Sequence, residues 1–150
     1  MLTKDTLNTL LHFAESESPK EMCGLFFSNE RFKPCPNSAL DPTRTFELAY
    51  RDYAHACLFF EEQPWAIVHS HPGKSASLSS KDCQLMDALH YTGRDWAFIV
   101  VGLDPVEVRC FKKIGDNYRL LAWWYQNEAG EWCGPGMGDV IPMKRYESIT

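Results

Sequence analysis

The chain has 150 residues and a formal net charge of −5, and 45% of its residues are hydrophobic. This length suits one compact domain that buries roughly two-thirds of its unfolded surface, and the composition excludes a disordered chain. No basic stripe marks a nucleic-acid partner, and the longest apolar runs are far shorter than the roughly 20 residues that span a bilayer.

The N-terminal residues carry no apolar stretch of the signal-peptide type, so we expect a cytoplasmic protein that is neither exported nor membrane-bound. The six cysteines form no Cys-x-x-Cys pair, and they stand at positions 23, 35, 57, 83, 110 and 133. Scattered cysteines of this kind are typical of reduced thiols, although their even number leaves disulfides open.

The first third of the chain predicts one helix and a hairpin. Thr3 is a suitable N-cap for a helix over residues 4–16, whose leucines recur at helical spacing. An apolar run predicts a buried strand over 22–28, and residues 31–35 follow a short turn as its hairpin partner. After a loop, residues 46–48 are expected to form a short strand.

The remainder of the domain continues with helices and strands. Helical spacing predicts helices at about 50–62 and 80–91. Apolar runs and alternating patterns predict four strands, at about 65–69, 96–101, 106–110 and 118–122. The order indicates an α+β fold with a single mixed, largely antiparallel β-sheet flanked by about three helices.

The end of the chain differs in composition from what precedes it. Glycine and proline are frequent between positions 130 and 138. We therefore expect a domain over residues 1–126 and a loosely attached, Gly/Pro-rich C-terminal extension over residues 127–150.

Two histidines follow the strand predicted at 65–69. Side chains two residues apart share one face of a strand, so His69 and His71 can point at a common ligand while Ser70 faces the other way. Pro72 favours an extended backbone at His71. With the carboxylate of Asp82, eleven residues further on, the segment offers three metal ligands and an open fourth position, as catalytic zinc sites do.

A structural interpretation competes for the last part of this segment. Ser79 and Asp82 stand three residues apart at the start of the helix predicted at 80–91, the spacing of a capping box. Taken alone, this pair serves equally well as a helix cap. Upstream, Glu21 is by itself an ordinary charge that precedes a strand.

Two segments together resemble a known family. The string HSHPGKSASLSSKD, from His69 to Asp82, is similar to the metal-binding signature of the JAMM (MPN+) zinc metalloproteases, which is His-x-His-Pro followed by Ser-x-x-Asp. The family also has an upstream glutamate, and Glu21 supplies it in the form Glu-x-Cys-Gly-Leu. The resemblance covers roughly residues 1–125 in order and spacing, and its prokaryotic and phage members are the most similar.

The resemblance implies an MPN/JAMM, cytidine-deaminase-like fold and a role for each matching residue. His69, His71 and Asp82 would bind one Zn²⁺ per chain, with a water as the fourth ligand. Glu21 would act as general base on that water, and Ser79 would donate a hydrogen bond to the oxyanion. Other histidines and Cys23 are expected to be structural.

The implied activity is that of a peptidase or isopeptidase that cuts next to a ubiquitin-like or flexible C-terminal segment. The motif around Glu21 and the stretch Phe32 to Asn37 resemble most the N-terminal domain of lambda-like phage tail-assembly proteins, so a phage tail protein is a second candidate partner. Those proteins continue into an NlpC-type peptidase domain, whereas about 25 residues follow Tyr125 here. A stand-alone form or a related bacterial enzyme is therefore expected. The alternative is a catalytically silent MPN scaffold.

Overall fold

A computed structural model describes residues 2–135 and the backbone of residues 141–143. In chain order the elements are α1 (Lys4–Glu17), β1 (Cys23–Phe27), β2 (Arg31–Cys35), α2 (Tyr50–Phe60), β3 (Ala66–His71), α3 (Ser80–Tyr91), β4 (Ala97–Leu103), β5 (Val106–Ile114), β6 (Asn117–Gln126), β7 (Trp132–Cys133) and β8 (Ile141–Met143). Within the described part of the chain, no helix combines the length and apolar character needed to cross a membrane.

All eight strands belong to one sheet, in the order β2-β1-β3-β4-β5-β6-β7, and β8 also pairs with β6. The β3–β4 pair is parallel, and the other described pairs are antiparallel. Parallel neighbours need a crossover, and α3 lies in the connection from β3 to β4. The predicted α+β fold with a mixed, largely antiparallel sheet and three helices is thus confirmed.

Two of the three predicted helices, α1 and α3, begin at a residue whose side chain caps the helix. The hydroxyl of Thr3 accepts a hydrogen bond from the backbone of Thr6 at the start of α1. Ser79 caps α3, and the chain leaves this helix through Gly93, whose φ of 83° suits a residue without a Cβ. Because such caps satisfy backbone groups that lack helical partners, both helix starts could be located from the sequence.

Apolar side chains fill both faces of the sheet. On one face α1 packs over a cluster that includes Leu10, Val68 and Ile99. On the other face α2 and α3 cover a second cluster that includes Ile67 and Phe98. β3 is therefore buried on both sides, which explains its continuous apolar run.

Residues 46–48 are not a strand, so that prediction is wrong. The backbone N–H of Glu47 donates to the Asn37 side chain, and its carbonyl accepts from Ser38, so the segment is bonded to a loop instead of a sheet. The Phe46 ring instead packs flat against His69, with ring centroids 4.5 Å apart.

Parts of the C-terminal extension belong to the sheet. Trp132–Cys133 pairs with the end of β6, and Ile141–Met143 pairs with its beginning. Loose attachment is therefore the wrong description of these two segments, because their backbone hydrogen bonds continue the ladder. The expectation for residues 136–140 and 144–150 lies outside the described residues.

We predict that Gly24→Ala destabilises the hairpin of β1 and β2. A Cβ at Gly24 would lie 2.5 Å from the Lys33 carbonyl oxygen and 2.5 Å from the Phe32 ring, so the strands would have to separate. Overpacking of this kind typically costs about 1–3 kcal/mol of unfolding free energy. Urea denaturation measures the loss, and the exposed Lys33→Ala on β2 serves as a control that should stay within about 0.5 kcal/mol of the parent. An unchanged midpoint for Gly24→Ala would contradict the prediction.

Candidate metal centre

The end of β3 carries both predicted histidines into the interior. His69 is fully buried and His71 is nearly so. Between them Ser70 faces the opposite way, where its hydroxyl accepts the Met22 backbone N–H at 2.7 Å and its own N–H donates to the Met22 carbonyl at 2.9 Å. This double contact ties β3 to the residue that follows Glu21.

The polar atoms of the predicted ligands converge. The Nε2 atoms of His69 and His71 lie 3.1 Å apart. One oxygen of Asp82 is 3.0 Å from the first of them, and its other oxygen is 3.1 Å from the second. Glu21 completes the group, since its carboxylate and the two imidazoles offer ligand atoms that all lie within 4.8 Å of one another. The structure thus brings these four predicted site residues together.

The hydrogen-bond pattern leaves this cluster short of protons. Nδ1 of His71 lies 3.0 Å from the Ser75 carbonyl oxygen, which can only accept, so Nδ1 carries the hydrogen. In the neutral ring Nε2 then has a lone pair, and it faces the carboxylate of Asp82, which is also an acceptor. Two acceptors at this distance are compatible only with a second proton on the ring or with a cation between them.

Electrostatics favour positive charge in the same place. Burial opposes ionisation of Asp82, but His69 and His71 outweigh it and hold the pKa of this carboxyl well below its usual range. Burial also lowers the pKa of His71, yet the hydrogen bond and charge of Asp82 reverse the balance and raise it. Both shifts favour a positive charge at this position, either on the His71 ring or as a bound cation.

Glu21 has a different environment. Burial raises the pKa of its carboxyl, and the charges of His69 and His71 offset part of that effect. Its backbone is fixed on both sides, because its N–H donates to the Pro42 carbonyl at 2.7 Å and its carbonyl accepts from the Asn37 side chain at 2.9 Å. The carboxylate is consequently held beside the imidazoles with a pKa shifted towards neutral pH.

Ser79 and Asp82 form the capping box that the sequence suggested. The Asp82 N–H donates to the Ser79 hydroxyl at 3.1 Å, and the Ser79 N–H donates to the Asp82 carboxylate at 2.9 Å. That same carboxylate oxygen contacts His71, so the cap and the cluster share one atom. The structural and the functional interpretations of this pair are therefore compatible.

A cleft opens beside the cluster. Glu21, His71 and Ser79 contribute to its lining, together with residues of the surrounding loops, which are Thr43, Arg44, Pro72, Lys74, Ser75, Ser77 and Leu78. Because Ser79 accepts the Asp82 N–H, its own hydroxyl hydrogen remains available for donation into this cleft.

Three supporting residues were missed by the sequence reasoning. Asn37 holds the backbone at Glu21, Phe46 stacks on the His69 ring, and Glu107 accepts the Ala76 N–H at 2.8 Å. Stacking helps to fix the His69 ring, because its Nδ1 is buried and has no hydrogen-bond partner among the described residues. The sequence gives no signal for Phe46 or Asn37, because both act from a loop across long chain distances.

Cys23 does not act as a nucleophile in this arrangement. Burial raises the pKa of its thiol to about 12, so it stays protonated at neutral pH. This agrees with the expectation that Cys23 is a small core residue.

We predict that Ser70→Ala lowers stability by about 1–3 kcal/mol, because the buried Met22 N–H would lose its acceptor. Chemical denaturation measures the difference. Ser38→Ala is the matched control, since the Ser38 hydroxyl donates to the Glu47 carbonyl at an exposed position. Equal effects of the two substitutions would contradict the role given to Ser70.

Comparison with known proteins identifies relatives of this chain. Residues 3–113 match the family of prokaryotic homologs of the JAB domain, a range that includes all five predicted site residues. The tail tip assembly protein K of Escherichia phage N15 is 34% identical over 94 residues, which cover 58% of this chain and 36% of that protein. The matched region thus represents about a third of the length of this curated relative.

Proposed function

The chain belongs to the family of prokaryotic homologs of the JAB domain, and from that premise we propose that it is a zinc-dependent peptidase or isopeptidase of JAMM type. The observation that carries the proposal is the convergence of His69, His71 and Asp82 on one point with Glu21 beside it. The proposed substrate is a peptide or isopeptide bond next to a ubiquitin-like or flexible C-terminal segment.

The donor set fits zinc. Two imidazole nitrogens from His69 and His71 and one carboxylate oxygen from Asp82 are ligand types that zinc accepts, and three protein ligands are usual for a catalytic site. The shortage of protons between His71 and Asp82 would be relieved by a bound cation. When bound, zinc acts as a Lewis acid and makes a hydroxide nucleophile available near neutral pH.

Glu21 is the proposed general base. Its carboxylate lies in the cleft, and a raised pKa lets it accept a proton during attack and release that proton to the leaving amine. The backbone contacts of Glu21 to Pro42 and Asn37 hold this carboxylate in place while it exchanges the proton.

Ser79 is the proposed donor to the oxyanion. Its hydroxyl is fixed by the Asp82 N–H at the start of α3, so the remaining hydrogen can point into the cleft without a change of rotamer. A preorganised donor of this kind contributes roughly 10²–10³-fold to acyl-transfer rates.

A catalytically silent scaffold is the second candidate function. The relative from phage N15 is named a tail tip assembly protein, which favours a role in assembly with phage tail proteins. A silent module has no need for a buried carboxylate and two imidazoles whose Nε2 atoms converge, so this arrangement favours the peptidase.

We predict about one zinc ion per chain, bound by the His69, His71 and Asp82 cluster. Metal analysis after equilibrium dialysis should show its loss in His69→Ala and its retention in His12→Ala, a matched change at an exposed position of α1. Absence of zinc from the parental chain, or full zinc content in His69→Ala, would contradict the proposed centre.

We predict that Glu21→Gln cuts about 10²–10⁴-fold more slowly than the parental chain while it still binds zinc. Zinc-loaded protein is assayed against a panel of ubiquitin-like fusions and phage tail proteins, with the exposed Glu17→Gln as control. Parental rates in Glu21→Gln would refute the general base. Zinc binding without cleavage of any panel member would favour the scaffold.

A further inference from the structure

A carboxylate outside the proposed ligand set is buried behind the loop over residues 72–79, which connects β3 to α3. Glu107 lies on β5 and is only 2% exposed. Its Oε1 accepts the Trp123 indole N–H at 2.8 Å and the Arg109 guanidinium at 3.1 Å from Nε and 3.0 Å from Nη2. Its Oε2 accepts the backbone N–H of Ala76 at 2.8 Å. Buried charges are expensive unless all their bonding capacity is used, and here both oxygens are bonded.

The peptide group that Glu107 contacts also contacts a proposed metal ligand. The preceding residue, Ser75, provides the carbonyl that accepts the Nδ1 hydrogen of His71 at 3.0 Å. Because the Ser75 carbonyl and the Ala76 N–H belong to the same peptide group, Glu107 holds the peptide group whose carbonyl orients His71. Partners of this kind fix the ring orientation and the tautomer of a metal-binding histidine.

The same loop docks closely on the end of β4. The Lys74 carbonyl accepts the N–H groups of Leu103 and Asp104 at 3.1 and 3.2 Å. A Cβ on Gly102 would approach the Ala76 nitrogen to 2.5 Å, so the loop touches the strand without an intervening side chain. The loop position is thus set by the sheet, and Glu107 is the charged side chain in that contact.

We propose that Glu107 is a positioning residue of the metal centre, which fixes the Ser75 carbonyl through the Ala76 N–H and so holds His71 in its ligand orientation. The inference rests on the proposed function, since it concerns the affinity of that centre for zinc.

Glu107→Gln distinguishes the contact of this side chain with Ala76 from its contacts with Trp123 and Arg109. The side chain of glutamine has only one acceptor oxygen. At the Oε1 position, Trp123 and Arg109 present several N–H donors, whereas at the Oε2 position Ala76 presents one. The amide oxygen will therefore face Trp123 and Arg109, and the NH₂ group will face the Ala76 N–H. Donor then meets donor at Ala76 and the loop contact is broken, whereas Trp123 and Arg109 keep their hydrogen bonds to a now uncharged side chain.

Trp123→Phe is the matched control for this substitution. It removes a donor to the same carboxylate on the opposite side, and it leaves the contact between Glu107 and Ala76 in place. Both variants are expected to lose stability, because each leaves a group at this carboxylate without its partner. Only Glu107→Gln should disturb His71.

Zinc affinity is measured by chelator competition on the full chain, at a temperature where circular dichroism shows each variant folded. Glu107→Gln is expected to bind zinc about 10-fold more weakly than the parent, and Trp123→Phe is expected to match the parent. The visible spectrum of the Co²⁺-loaded protein should change for Glu107→Gln and not for Trp123→Phe. Should Glu107→Gln fail to fold, Glu107→Asp takes its place, since it keeps the charge but is too short to reach Ala76 and Trp123 together.

Parental zinc affinity in the folded Glu107 variant would overturn the inference, as would an equal loss in Trp123→Phe. The proposed function fails separately, when the parental chain itself binds no zinc.

Discussion

At the end of β3, two histidine nitrogens and a carboxylate lie in contact with too few protons for each contact to be a hydrogen bond. The surrounding structure holds these groups in place. The carbonyl of Ser75 fixes the hydrogen of His71 on the far side of its ring. The near side is left as a lone pair opposite Asp82. Such an arrangement is unfavourable unless the His71 ring takes up a second proton or a cation binds between these atoms.

Each member of the cluster is held in place by a different contact. β3 is locked between β1 and β4, which fixes both imidazoles. The capping box places Asp82 at the first turn of α3, and Phe46 supports the ring of His69 by stacking. Glu107 and Gly102 dock the connecting loop on β4 and β5. Preorganisation of this kind keeps the ligand atoms together at little entropic cost when a metal binds.

Local rules predicted much of this arrangement. Strand alternation placed His69 and His71 on one face, and the spacing of Ser79 and Asp82 located the start of α3. Contacts between distant segments could not be predicted in this way. Glu107 is covered by a loop that lies 31 residues upstream in sequence, and β7 is recognisable only from its pairing with β6. The alternation of Phe46, Glu47 and Leu48 favours a short strand and does not reveal that Phe46 covers a histidine.

The most direct test of the account is diffraction from zinc-soaked crystals of the full chain, with data collected on both sides of the zinc absorption edge. The account predicts one anomalous peak per chain, within bonding distance of Nε2 of His69, Nε2 of His71 and the carboxylate of Asp82, with the Glu21 carboxylate beside it. A peak at other residues, or no peak at saturating zinc, would contradict the assignment of this cluster as a metal centre.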